Sequence, residues 1–204
     1  MELYDTEEQQ VEAIKSWWAQ YGNALIAGVV IGVGGLIGWH YYQEGQTTKT
    51  HDASHQYTEV MQTLTTQGVD ASQSVSDFID NNPVTEYSVL AAMQLAKAYV
   101  QAQDFDNALQ QLRWAKENNQ EEKLEPLLTF DIARIEKEQG DLTKAEQTLN
   151  GLTDEAWKGR VAELRGDIAL QKGDQQAAYT AYTQAQQEQD ASQLLALKLD
   201  DLAQ

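Results

Sequence analysis

The sequence predicts an all-α protein, with a single membrane-spanning helix near the N-terminus followed by a solenoid of repeated helix pairs. Three observations predict this. Residues 16–43 contain no Asp, Glu, Lys or Arg. Beyond them Ala, Gln, Leu, Glu and Lys dominate, all good helix formers, while Val and Ile thin out and the only prolines are Pro83 and Pro126. Finally, Asp104, Asp141 and Asp174 stand at matching places in three alignable stretches, 37 and 33 residues apart.

Residues 1–22 form an acidic tail, in which Glu2, Asp5, Glu7, Glu8 and Glu12 face a single Lys15. Within it Val11, Ile14, Trp18, Tyr21 and Leu25 share one helical face. That face reads as an early start of the membrane helix, lying partly in the interface. The other reading is a docking surface for a cytoplasmic partner.

Residues 23–43 form the anchor. The run from Ala24 to Tyr42 is about 19 residues, enough to cross a hydrocarbon core of about 30 Å at 1.5 Å per residue. Trp17, Trp18 and Tyr21 lie at its entrance, and Trp39, Tyr41 and Tyr42 at its exit. Tyr21 to Trp39 is about 27 Å of helix, the distance between the two interfaces where amphipathic rings settle. The acidic start and the absence of a small-x-small site argue for an uncleaved signal anchor. Lys15 and Lys49 flank the span almost symmetrically, so charge sets no orientation. A short tail beside a long C-terminal region favours translocation of the C-terminus. Gly28-x-x-x-Gly32 and Gly34-x-x-x-Gly38 match the small-x-x-x-small pattern, and Gly28, Gly32 and Gly35 share a face. Gly28, Gly32, Gly35 and Gly38 are therefore candidates for close helix packing within the membrane.

Residues 44–204 form the soluble domain. It begins with two expected helices, 47–66 and 71–81, separated by Gly68 and ended by Asn82-Pro83. The repeats follow, in LAKAYVQAQDFDNALQQLRWA, IARIEKEQGDLTKAEQTLNGL and RGDIALQKGDQQAAYTAYTQA. Ala96, Ala133 and Gly166 on each first helix are expected to face Ala108, Ala145 and Ala178 on each second helix. Leu112, Leu149 and Tyr182 fill the space beyond. Each Asp is expected to begin a second helix and accept bonds from its free N–H groups. Gly140 and Gly173, just before it, suit a left-handed helix end. A last helix over 191–202, carrying Leu194, Leu195, Leu197, Leu199 and Leu202, is expected to cap the open end of the stack.

This pattern resembles the tetratricopeptide repeat over roughly residues 86–188, a helix–turn–helix unit of about 34 residues. It departs from the pattern at Arg165, where an apolar residue is usual, and at Glu136 and Ala169, where a large aromatic is. The proline that ends a unit is missing.

The chain has 204 residues and a net charge of −18, of which the tail carries −4 and the soluble domain −14. Such a domain repels nucleic acid and anionic headgroups, which argues against a nucleic-acid partner. There is no cysteine, so disulfides and thiolate metal sites are excluded. His51-x-x-x-His55 could place two imidazoles on one face, but no HExxH motif or third ligand accompanies them. No nucleophile–base pair and no phosphate-binding loop is visible. The expectation is an interaction protein with no catalytic residue, cofactor or metal, not an enzyme. First-helix side chains line the concave face of such solenoids, which nominates Tyr87, Gln94, Lys97, Arg134 and Lys137 as partner-facing.

Four stretches stand in order along the chain: MELYDTEEQQVEAIKSWW, ALIAGVVIGVGGLIGWHYY, ARIEKEQGDLTKAEQTL and EAWKGRVAELRGDIALQKGD. On these the chain resembles, end to end, the YfgM family of bacterial inner-membrane proteins. The resemblance implies an ancillary subunit of the SecYEG translocon that pairs with the membrane-anchored prolyl isomerase PpiD and assists polypeptides emerging into the periplasm. It also implies an inner-membrane location beside lipid, with a cytoplasmic N-terminus and a periplasmic domain. A scaffold or regulator in another envelope complex, or in stress signalling, is the alternative.

Overall fold

The computed structural model describes residues 7–83 and 85–202, with side chains for 10–41, 52–83 and 85–202. Nine α-helices and three short 3₁₀ turns account for the regular structure of these residues. The helices are α1 (Glu7–Gln67), α2 (Ser72–Asn81), α3 (Glu86–Gln101), α4 (Phe105–Asn118), α5 (Glu125–Glu138), α6 (Leu142–Asn150), α7 (Lys158–Gln171), α8 (Gln175–Gln186) and α9 (Leu195–Leu202). The chain divides into two compact units, Met1–Asp52 and Ala53–Gln204.

In the first unit, α1 includes one stretch long and apolar enough to cross a membrane, Gln10–Tyr41. Its aliphatic and aromatic side chains are exposed, from Val11 and Ile14 through Ile31 and Leu36 to Tyr41. Trp17 lies 6.5 Å from Trp18 and 6.1 Å from Tyr21, ring centre to ring centre. A Cβ added at Gly28, Gly32, Gly34, Gly35 or Gly38 would meet nothing within 4 Å. The side chains of Tyr42, Lys49 and His51 lie outside the described residues.

The helix expected over 47–66 is not a separate element: it is the end of α1, which runs unbroken to Gln67. No proline interrupts it, and a lone Gly45 costs only about 1 kcal/mol of helix propensity. Its Thr-rich end is accommodated because Thr58, Thr63, Thr65 and Thr66 donate their hydroxyls to carbonyls one turn back. Gly68 then takes a left-handed φ of 59° and starts the turn into α2. The expected stop at Asn82-Pro83 is observed, with the Asn82 amide donating to Phe78 O at 3.0 Å.

Three helix pairs follow, α3/α4, α5/α6 and α7/α8, joined by turns that share one hydrogen-bond pattern. The amide of each aspartate reaches back five residues: Asp104 to Tyr99 O, Asp141 to Glu136 O and Asp174 to Ala169 O, each at 2.9 Å. This is the Schellman closure, and it requires a left-handed residue just before the aspartate. That residue is Gln103 (φ 60°), Gly140 (φ 84°) or Gly173 (φ 81°). Asp104 and Asp174 then cap the second helices, accepting from the amides of Asn107 at 3.2 Å and Ala177 at 2.9 Å. Asp141 departs from this: its carboxylate pairs with Lys144, which holds it below the usual carboxylate range, and no capping bond forms.

A left-handed non-glycine residue costs roughly 1 kcal/mol. Gln103→Gly is therefore expected to stabilise the protein by about 0.5–1 kcal/mol, and Gly140→Ala to destabilise it by about 1 kcal/mol or more. Urea midpoints at unchanged slope check both.

The small residues pack as the sequence suggested. Ala96, Ala133, Ala108, Ala145 and Ala178 are each at most 1% exposed. The main core gathers Leu64 at the end of α1 with α2, α3, α4 and one face of α5 around Val75, Leu95, Leu112, Leu128 and Ile135. A smaller cluster joins α5, α6 and α7 around Leu149 and Ile168, and a third lies under α9 around Tyr182. Glu136, in register with the aromatic Tyr99, is buried. It binds Arg113 Nη2 at 3.1 Å and Thr148 Oγ1 at 2.6 Å, replacing an apolar contact with a polar one. Of the expected apolar side chains in the last helix, Leu195, Leu199 and Leu202 face the core, while Leu194 and Leu197 are about 60% exposed.

Candidate functional site

The first helices of neighbouring units stand side by side, so their repeat positions face a common surface. Gln94 and Lys97 on α3 are in register with Asp131 and Arg134 on α5, 37 residues on. These four residues line a hollow of about 290 Å³ between α3 and α5, floored by Met93, Val100 and Ile135. A second hollow, of about 370 Å³, lies on the other side of α3. Tyr57, Met61, Leu64 and Gln101 line it, and it shares Gln94 and Lys97 with the first. Together they form a trough centred on α3.

Charge in the trough is mixed. Arg134 Nη1 lies 3.3 Å from Asp131 Oδ1. Burial pushes the Asp131 carboxyl up, while Arg134 and, more weakly, Arg160 pull it down. Lys97 is exposed and has no ion-pair partner among the described residues. The trough thus offers an apolar floor, an amide and two cations, the contacts an extended or helical polypeptide can use. It offers no arrangement for covalent chemistry. Among the described residues, no group of three His, Asp or Glu side chains is placed to hold a metal ion.

Of the five residues nominated from the sequence, the structure brings Gln94, Lys97 and Arg134 together. Tyr87 lines neither hollow; it is half-buried, with its ring 5.5 Å from that of Tyr57, which in turn stacks 6.2 Å from Phe78. Lys137 lines neither hollow either; it pairs at 2.7 Å with Glu138, which borders the first. Sequence reasoning missed Asp131 and the floor residues Met93, Val100 and Ile135. The register that pairs Asp104 with Asp141 would have found Asp131 from Gln94. A further hollow of about 480 Å³ lies between the start of α3 and the α4–α5 connection, bordered by Thr85, Leu90, Asn119 and Lys123.

A family model described as tetratricopeptide repeat-like domain matches residues 15–204. A Haemophilus influenzae protein named "Ancillary SecYEG translocon subunit" is 33% identical over 198 residues, covering 96% of this chain and 97% of its own. The Escherichia coli K12 protein of the same name is 34% identical over 182 residues, covering 89% and 88%. The chain belongs to the family of ancillary SecYEG translocon subunits. Family membership here includes the apolar N-terminal helix as well as the repeats, because the match with these relatives runs through both. A solved structure of Pseudomonas aeruginosa pilF has a TM-score of 0.58 at 16% identity, over 76% of this chain and 69% of that one. That likeness speaks for the helical-repeat fold alone.

Proposed function

We propose that this chain is an interaction subunit of the Sec translocon, anchored by one helix in the bacterial inner membrane. On this reading residues 1–22 are cytoplasmic, 23–43 cross the bilayer and 44–204 lie in the periplasm. The observation that carries the proposal is the near full-length match to proteins named as ancillary SecYEG translocon subunits, anchor and repeats together. The trough on α3 supports it: it is open, apolar-floored and lined by residues that bind without reacting. Gln94, Lys97 and Arg134 contact an emerging polypeptide or a partner such as a PpiD-type prolyl isomerase, and Tyr87 and Lys137 flank this region on the same two helices. The outward-facing glycines Gly28, Gly32, Gly35 and Gly38 let the anchor pack closely against another membrane helix. Tethering raises the local concentration of the solenoid and offsets weak intrinsic affinity.

Photocrosslinkers at Gly32 and Trp39 test the membrane contacts, and one at Lys97 tests the trough. Channel subunits are expected from the first two positions, and a translocating chain or a chaperone from the third. Adducts confined to proteins outside the Sec machinery would reject the reading in favour of a scaffold in another envelope complex.

A further inference from the structure

The C-terminal helix is held against α7 by a set of polar anchors rather than by apolar contact alone. The Asp190 carboxylate accepts from the first free amides of α7, Gly159 N at 2.8 Å and Arg160 N at 3.1 Å. Ser192 donates its amide (3.0 Å) and its hydroxyl (2.7 Å) to Glu163. Lys198 Nζ bridges Glu163 at 2.9 Å and Asp167 at 2.7 Å. Burial pushes the Glu163 carboxyl up, yet the bonds from Ser192 and Lys198 hold it below its ordinary value. The receiving groups therefore all belong to α7, and the arriving groups all belong to residues 190–198. Between them lies a buried floor of Ala162, Ala178, Ala185 and the ring of Tyr182, with which Leu195 clusters.

Two further features mark this contact as a recognition surface. Gly159 leaves room for the approaching chain: a Cβ there would lie 2.5 Å from Asp190 Oδ1 and 2.9 Å from the Ala191 amide. And Asp167 is in register with Lys97 and Arg134, the cations of the open trough, so α9 occupies the third unit's share of the surface that the first two units leave free. The sign is reversed there, from cation to carboxylate, and Lys198 answers it.

We propose that the α7–α8 face is a docking groove for a lysine-bearing amphipathic helix, and that α9 is its built-in occupant, displaceable by such a segment from a partner polypeptide. The partner is defined by the chemistry of α9. It carries a carboxylate to cap α7, a hydroxyl and a lysine for Glu163 and Asp167, and leucines for the alanine floor. Residues 187–194, turns and bends with no helix, separate α9 from α8, so α9 can leave without unwinding α8 once the bonds of Asp190 and Ser192 are given up. This inference stands whichever membrane assembly the protein joins.

The test uses the full chain in detergent micelles and a fluorescent peptide of residues 187–204. In a Ser192→Ala/Lys198→Ala variant the tethered helix loses its hydroxyl and ammonium anchors, keeping only the Asp190 bonds and the Ser192 amide, while the receiving carboxylates of the groove stay in place. This variant is expected to bind the peptide at least tenfold more tightly than the wild type. A Glu163→Gln/Asp167→Asn variant, which loses the receiving groups, is expected to bind no better than wild type. Equal binding to the first variant and the wild type would overturn the proposal. So would a concentration-dependent dimer of that variant with no peptide uptake, since the occupant would then be a second copy. Hydrogen exchange on the unmodified protein decides independently of whether the variants fold. The α9 amides are expected to exchange at least tenfold faster than those of α7; a single shared rate would make α9 an integral part of the last repeat and overturn the idea.

Discussion

Gly166→Ala is expected to destabilise the protein by about 3 kcal/mol, because a side chain there has nowhere to go. A Cβ built on Gly166 falls under 3.0 Å from the ring of Tyr182, closer than real Cβ atoms come. That ring is itself 1% exposed and held by two further ties: its hydroxyl donates to Asp167 at 2.7 Å, and Lys198 lies 5.6 Å over its face. It cannot move aside without breaking them. The same register position is alanine in the other two units, where the residue in register with Tyr182 is Leu112 or Leu149. Glycine with tyrosine and alanine with leucine are thus two solutions to one packing problem. Tyr182→Leu should accordingly rescue Gly166→Ala. A double-mutant cycle by urea denaturation should return a coupling of about 1.5 kcal/mol or more, and additive effects would contradict this packing argument.

Leu149→Ala is expected to cost about 3 kcal/mol and to split the solenoid's unfolding in two. Leu149 is 0% exposed and is the one large fully buried side chain that α6 contributes. Its cluster is the small central one, between the larger core around α3 and α4 and the cluster under α9. In a stack where each unit touches only its neighbours, a void in the middle weakens the coupling between the ends. Hydrogen exchange should therefore quicken in α6, α7 and α8 while α3 and α4 keep their protection. Uniform quickening along all the helices would show that the domain behaves as one cooperative block.

Much of the trough was legible before folding was considered. Lys97 and Arg134 were identifiable because helical repeats place equivalent first-helix positions on one surface, and the aspartates reveal the spacing. Tyr87 and Lys137 lie outside the two hollows for reasons no spacing carries: an aromatic partner, Tyr57, lies 30 residues upstream on α1, and Glu138 lies beside Lys137 on the next position. Glu136 stands where the repeat pattern has a large aromatic. It is buried because Arg113 and Thr148, on two different helices, converge on it.

By itself the sequence determined the helical content, the apolar span, the register of the three pairs and the left-handed turns at Gly140 and Gly173. These are local properties, set by composition over one or two turns and by the conformational freedom of single residues. Tertiary structure alone decided that Arg113 and Thr148 converge on Glu136. It alone also placed Asp190, Ser192 and Lys198 on α7 about 30 residues back. Such pairings depend on how far each helix pair is rotated against the next, and that angle is a property of the packed core.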